Sequence, residues 1–121
     1  MPLTKNDAVR LRHMLDAARK ALSFSRGKTR VDIEQDDQLT LALVRLVEII
    51  GEAASRVSRQ LQDQTPSIAW ADIISTRNKL VHAYFNIDLD VMWQIIREDL
   101  PLLVNELEKL LETGERQPRL L

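Results

Sequence analysis

At 121 residues without a cysteine, the chain excludes disulfides, thiolate catalysis and cysteine-ligated zinc, yet it is long enough to bury a core without covalent staples. Hydrophobic residues at 45% and charged residues at 29% exclude a disordered chain, and a net charge of −1 excludes a chain-wide field that would gather nucleic acid or an anionic membrane. Only three glycines and four prolines, among abundant Leu, Ala, Glu, Arg and Ile, predict helices.

The start, Met1-Pro2-Leu3-Thr4-Lys5-Asn6-Asp7, lacks the apolar core of a signal peptide. No later window approaches the roughly 20 apolar residues of a membrane span, so the expectation is a soluble protein of the cytoplasm. Thr4 followed by Asp7 reads as a capping box with Asp in place of Glu. Leu11, Met14, Leu15, Ala18 and Leu22 then repeat at helical spacing, which predicts a first helix from about residue 5 to 25. His13 lies about 200° from Leu11 on that helix and is read as a solvated residue, with no second ligand beside it. Residues 26–36 break the pattern and read as a loop.

From about Asp37 to Gln62 the spacing predicts one long helix with Leu39, Leu43, Leu46, Ile50, Ala53, Val57 and Leu61 inward. Gly51 in its middle costs on the order of 1 kcal/mol relative to alanine, which makes sense where another helix approaches closely. Glu52 and Arg56 are an i, i+4 pair, and Arg45, Arg56 and Arg59 lie near one side. They read either as a charged outer face or as phosphate contacts. Thr65-Pro66-Ser67 ends this helix, with Ser67 as the expected cap of the next and Asp72 early enough to favour its dipole. A third helix then carries Trp70, Ile73, Ile74, Leu80 and Val81 to about Ala83, with Trp70 as a core anchor.

Asn86-Ile87-Asp88 reads as a turn, and Asp88 or Asp90 as the cap of a fourth helix. Pro101 inside that pattern predicts a kink or short break near Asp99, and Gly114 is expected to stop the helix after Thr113. The expected fold is all-α, an antiparallel bundle of four or five helices in one domain over 1–114, with a tail over 115–121. Exposed apolar residues on so small a domain suggest a homodimer.

The residues with chemical capacity gather in Ser75-Thr76-Arg77-Asn78-Lys79-Leu80-Val81-His82-Ala83-Tyr84-Phe85. On an ideal helix Arg77 and Tyr84 are about 20° apart, and Asn78 and His82 are an i, i+4 pair. Arg77 and His82 are about 140° apart, so their joint action requires the helix to end or bend near His82, or a second subunit. Taken alone, His82 also reads as a histidine at a helix C-terminus and Arg77 as a partner of Asp72 or Glu52.

This stretch resembles the R-x4-H-x-Y signature of HEPN domains, specifically the HepT-like toxins encoded beside minimal nucleotidyltransferases. The similarity extends in order through Leu46-Val47-Glu48-Ile49-Ile50-Gly51-Glu52-Ala53-Ala54, Ile68-Ala69-Trp70, Asp88, Val91, Trp93 and Asp99-Leu100-Pro101. It covers most of the region from about residue 39 to 104. The resemblance implies a homodimer with its two R-x4-H segments facing across the two-fold axis, an RNA substrate and a nucleotidyltransferase antitoxin as partner.

Histidine, with an ordinary pKa of about 6.5, can take or give a proton near neutrality. RNA carries its own nucleophile: if His82 removes the 2′-hydroxyl proton, that oxygen attacks the adjacent phosphorus, a route that needs neither metal nor cofactor. Arg77 would hold phosphate oxygens and stabilise the charge that builds up. This is the role the resemblance implies for the matching Arg and His. Asn78 is expected to support their geometry, and Lys79, Arg45, Arg56 and Arg59 are candidate phosphate contacts. Tyr84 reads as a core residue, as an orienting group, or, by the resemblance, as the tyrosine that the antitoxin modifies with AMP. The added charge would occupy the place of RNA phosphate.

Other chemistries find no support. There is no Gly-rich phosphate loop and no H-x-x-x-H metal pair, Ser75 lacks a nucleophile-elbow context, and Asp36/Asp37 and Asp88/Asp90 read as helix caps. The competing expectation is a helical binding module that presents a nucleotide or protein substrate to a nucleotidyltransferase without cutting RNA.

Overall fold

The computed structural model describes residues 3–82 and 86–116, so the expectations for Tyr84 and for the tail from residue 117 onward lie outside the described residues. Helix α1 spans Lys5–Ser25. Thr4 accepts a hydrogen bond from the Asp7 N–H at 3.1 Å, the forward half of the expected box. The return half is replaced by a tertiary contact. Asp7, only 3% exposed, accepts from the Ser58 N–H at 2.8 Å and from the Ser58 hydroxyl at 2.6 Å.

That contact explains why the long helix expected over 37–62 is two helices, α3 (Asp37–Ser55) and α4 (Arg59–Gln64). An unbroken helix would commit the Ser58 N–H to its own backbone ladder and leave a buried carboxylate short of donors. With the break, Ser58 serves Asp7 and also caps α4 through the Leu61 N–H at 3.2 Å. Val57 and Leu61 remain buried on either side.

The segment expected as a loop contains helix α2 (Arg30–Glu34), because Thr29 and Asp32 form a reciprocal capping box. The Thr29 N–H and then the Thr29 hydroxyl hold the Asp32 carboxyl below the usual carboxylate range. Ile33 is thereby turned under the bundle, 2% exposed. Asp36 caps α3 through the Leu39 N–H at 3.0 Å, as expected.

Helix α5 (Trp70–Leu80) crosses α3 at Gly51. A Cβ there would stand 3.4 Å from the Ile73 carbonyl oxygen and 3.6 Å from that of Ile74, which is the close approach read from the sequence. Trp70 is buried and donates its indole N–H to the Thr65 hydroxyl at 3.0 Å. Ser67 does not cap α5: Ala69 occupies that position without a side-chain bond, and the Ser67 hydroxyl meets Glu106 at 3.1 Å.

The third helix ends earlier than the expected Ala83. The Leu80 carbonyl, which a longer helix would use for its next turn, accepts from the Asp88 N–H at 2.8 Å. Strands β1 (Val81–His82) and β2 (Asn86–Ile87) then pair antiparallel, Val81 opposite Ile87 and His82 opposite Asn86. The expected turn at Asn86-Ile87 is therefore a strand.

Asp88 caps helix α6 (Leu89–Gln94), as expected. A π-helical segment over Ile95–Asp99 follows and passes into α7 (Leu100–Arg116). Its Leu100 N–H reaches back to the Ile95 carbonyl, so the wider turn accommodates Pro101, which has no N–H to continue an α ladder. The expected kink thus takes the form of a π-bulge. Gly114 does not stop the helix, which runs to Arg116.

Helices α1, α3 and α7 share one core in which Leu11, Met14, Leu43 and Leu107 are fully buried, and α5 lies on α3. The architecture is an all-α bundle of four principal helices, with the short helices α2, α4 and α6 in the connections between them. Among the described residues no helix is long and apolar enough to cross a membrane.

Candidate active site at the end of α5

The crossing at Gly51 sets the site. One turn beyond Ile73 on α5 comes Arg77, and one turn before Gly51 on α3 comes Glu48, so the close approach of the two backbones brings these side chains together. Arg77 Nε donates to Glu48 Oε2 at 2.7 Å. The Arg77 side chain is 47% exposed and that of Glu48 24%. Among the described residues neither terminal amino group of the guanidinium bonds to the protein. Glu48 bonds only Nε and so orients the planar fork without occupying it.

His82 stands on β1, two residues past the end of α5, with its side chain 53% exposed. Its Nε2 lies 3.8 Å from Asp88 Oδ2, an ion-pair distance beyond hydrogen-bond range. Asp88 is divided between two tasks. Its Oδ1 accepts from the Asp90 and Val91 N–H groups at the head of α6, and its Oδ2 faces the imidazole. The helix does end just before His82, one of the two arrangements that would allow joint action with Arg77, the other being a second subunit, and neither side chain is in the hydrophobic interior.

The other candidate residues are distributed more widely. Asn78 is exposed on α5 and makes no side-chain hydrogen bond among the described residues. Lys79 pairs with Asp72 at 3.6 Å and lies about 200° round α5 from Arg77. Arg45 pairs with Glu52 at 3.5 Å, so the Glu52/Arg56 pair read from spacing gives way to Arg45, one face of α3 carrying Arg45, Glu48 and Glu52 in line. Arg56 is exposed at the end of α3, and Arg59 belongs to α4, where it pairs with Asp63 at 3.5 Å. The three arginines therefore do not form a stripe on one helix. His13 is exposed on α1.

Two residues of the site escaped the reading of spacing: Glu48 as the partner of Arg77, and Asp88 as the carboxylate beside His82. The signal for Glu48 was its place three residues before Gly51, where a neighbouring helix had to approach. For Asp88 the capping role hid the second oxygen. Among the described residues no group of His, Asp or Glu is arranged to hold a metal ion. What the arrangement offers chemically is a cationic fork for an oxyanion and an accessible imidazole for proton transfer.

The family described as "Ribonuclease HepT-like" matches residues 14–110. The chain is 37% identical to "Probable ribonuclease HepT" of Thermococcus cleftensis over 87 residues, 72% of this chain and 79% of that protein. It is 30% identical to "Putative RNase MJ1380" of Methanocaldococcus jannaschii over 95 residues, 78% of this chain and 87% of that protein. No solved structure matches.

Proposed function

This chain belongs to the HepT-like ribonuclease family, and from that premise we propose that it is a metal-independent endoribonuclease, the toxin half of a toxin and antitoxin pair in the cytoplasm. The observation that carries the reading is the guanidinium of Arg77, held at Nε by Glu48 with its fork unbonded among the described residues, near the end of the helix that leads into the exposed His82.

In the reaction, His82 takes the proton from a ribose 2′-hydroxyl, and the oxygen attacks the adjacent phosphorus. The bond from phosphorus to the 5′-oxygen breaks, leaving a 2′,3′-cyclic phosphate and a 5′-hydroxyl that receives a proton. Arg77 binds the non-bridging oxygens as negative charge accumulates on them. Two subunits with these segments facing each other supply a base, an acid and two cations. The antitoxin is a minimal nucleotidyltransferase that transfers AMP to Tyr84 and so places negative charge where substrate phosphate binds.

The test is RNA cleavage by purified protein in EDTA. His82→Ala and Arg77→Ala each abolish cleavage while circular dichroism stays helical; activity retained in both variants overturns the assignment. A stable complex with the nucleotidyltransferase and no cleavage by any form of the chain would instead identify a binding module. Modification of Tyr84 is read by intact mass after co-expression with the nucleotidyltransferase, and mass additions that persist in Tyr84→Phe remove that role.

A further inference from the structure

Helix α5 packs closely on α3 and α7 packs closely on α1, which leaves a groove of about 430 Å³ between α5 and the π segment with the start of α7. It follows α5 from the cap position Ala69 to Lys79, about 15 Å at 1.5 Å per residue. Its floor and lower walls are apolar, formed by Val47, Ile50, Ile73, Ile95 and Leu103. Leu102 stands on the rim, 68% exposed, the most exposed large apolar side chain among the described residues.

Charge around the groove is lopsided. Asp72, Asp99 and Glu106 line it against a single cation, Lys79, and Asp72 already engages that lysine at 3.6 Å. Asp99 has no ion-pair partner among the described residues. The residue is exposed, but partial desolvation of its carboxyl is the first cause that pushes its pKa up, then Glu98 and Asp72, with Lys79 opposing. The rim therefore carries uncompensated negative potential beside an apolar floor.

A trench between two helices above a third is the place where a further bundle helix packs. We propose that this groove is the docking site for an amphipathic helix of a protein partner, which seats apolar side chains against Ile73 and Leu102 and a lysine or arginine against Asp99. Such a helix uses the helix-in-groove mode of recognition, in which the apolar face supplies affinity and the flanking charge selects the partner. RNA is disfavoured there because three carboxylates would face its phosphates. Of the α5 residues that line the groove, Asp72, Thr76 and Lys79 lie about 100° to 160° round the helix from Arg77 and Ile73 about 40°, and Arg77 is not itself part of the lining. The inference goes beyond the ribonuclease reading and does not depend on it.

The test uses the full chain and two synthetic amphipathic helical peptides with leucines at i, i+3, i+4 and i+7. The peptides differ only in flanking lysines or glutamates, and binding is read by peptide fluorescence anisotropy and by amide NMR shifts. The lysine peptide is expected to bind and to shift the amides of Ile73, Ile95 and Leu103. Asp99→Lys and Leu102→Asp, both at exposed positions, weaken it by about tenfold or more with helicity unchanged. Arg77→Ala binds it undiminished, which separates this result from the fate of the catalytic assignment. Equal or tighter binding of the glutamate peptide, binding of neither peptide, or shifts away from the groove overturn the proposal. So do groove amides that move with protein concentration alone, which would make a second copy the occupant, or with added single-stranded RNA.

Discussion

The Glu48 carboxylate accepts a hydrogen bond from Arg77 Nε at 2.7 Å and ties the middle of α3 to the last turn of α5. With the arginine half exposed, the pair contributes only about 0–1 kcal/mol to stability. Its consequence is orientation: a guanidinium gripped at Nε presents its two terminal amino groups in one direction, which a free arginine does not do.

Glu48→Ala is accordingly expected to lower kcat for RNA cleavage by roughly ten- to a hundredfold, with a smaller change in KM and an unfolding free energy within about 1 kcal/mol of the original. Glu48→Gln, whose amide oxygen still accepts from Nε, recovers part of the loss. Initial rates across substrate concentration check this, and an unchanged kcat in Glu48→Ala would remove the positioning role.

Substitutions at Gly51 should divide by size. Alanine places its methyl in ordinary contact with the Ile73 and Ile74 carbonyls at 3.4 and 3.6 Å, and it relieves the helical cost of glycine, so Gly51→Ala is neutral or stabilising by up to about 1 kcal/mol. Gly51→Leu drives a branched side chain against α5 backbone and costs on the order of 1–3 kcal/mol. Urea midpoints measure both, and equal stability of the two variants would contradict the close crossing.

Asp7 is buried and accepts two hydrogen bonds from Ser58. Asp7→Ala leaves the Ser58 N–H and hydroxyl without their acceptor and is expected to cost about 3 kcal/mol. Hydrogen exchange should rise first at Ser58 and Leu61, where α4 begins. A variant as stable as the original would show that the contact contributes nothing net.

Asp99 should make stability depend on pH in a definite sense. Partial desolvation, with Glu98 and Asp72, raises its carboxyl pKa in the folded chain. The folded state therefore holds the proton more tightly, and the stability from protonation is full below the unfolded value and lost as pH rises through the folded one. Asp99→Asn raises the urea midpoint at neutral pH, and this advantage vanishes as pH falls below the carboxylate range. A variant less stable than the original at neutral pH would refute the sign.

Much of the molecule is legible in the order of its residues. The apolar spacing of Leu11, Met14 and Leu43 and the caps at Thr4, Asp36 and Asp88 depend on neighbours within a turn or two, while the glycine inside a helical pattern at Gly51 and the place of Trp70 in an apolar seam announce a close approach and a buried anchor without naming what they meet. Arg77 and His82 are recognisable as the groups with chemical capacity because their spacing and side-chain chemistry are written in one short stretch.

Local signals fail where a distant group competes for the same atoms. Asp7 reads as half of a capping box, yet it bonds Ser58 across 51 positions and so divides a helix that periodicity alone would continue. Arg77 has Asp72 within its own helix, yet Glu48, 29 positions away, holds it at 2.7 Å, because the helices cross at Gly51. The end of α5 at Leu80 likewise depends on the Asp88 N–H reaching its carbonyl. Which segments coil, and which side chains can do chemistry, follows from bonded and near-bonded neighbours and is therefore written along the chain. Which donor meets which acceptor is settled only in the folded bundle, because helix crossings and burial make that choice and no spacing along the chain encodes them.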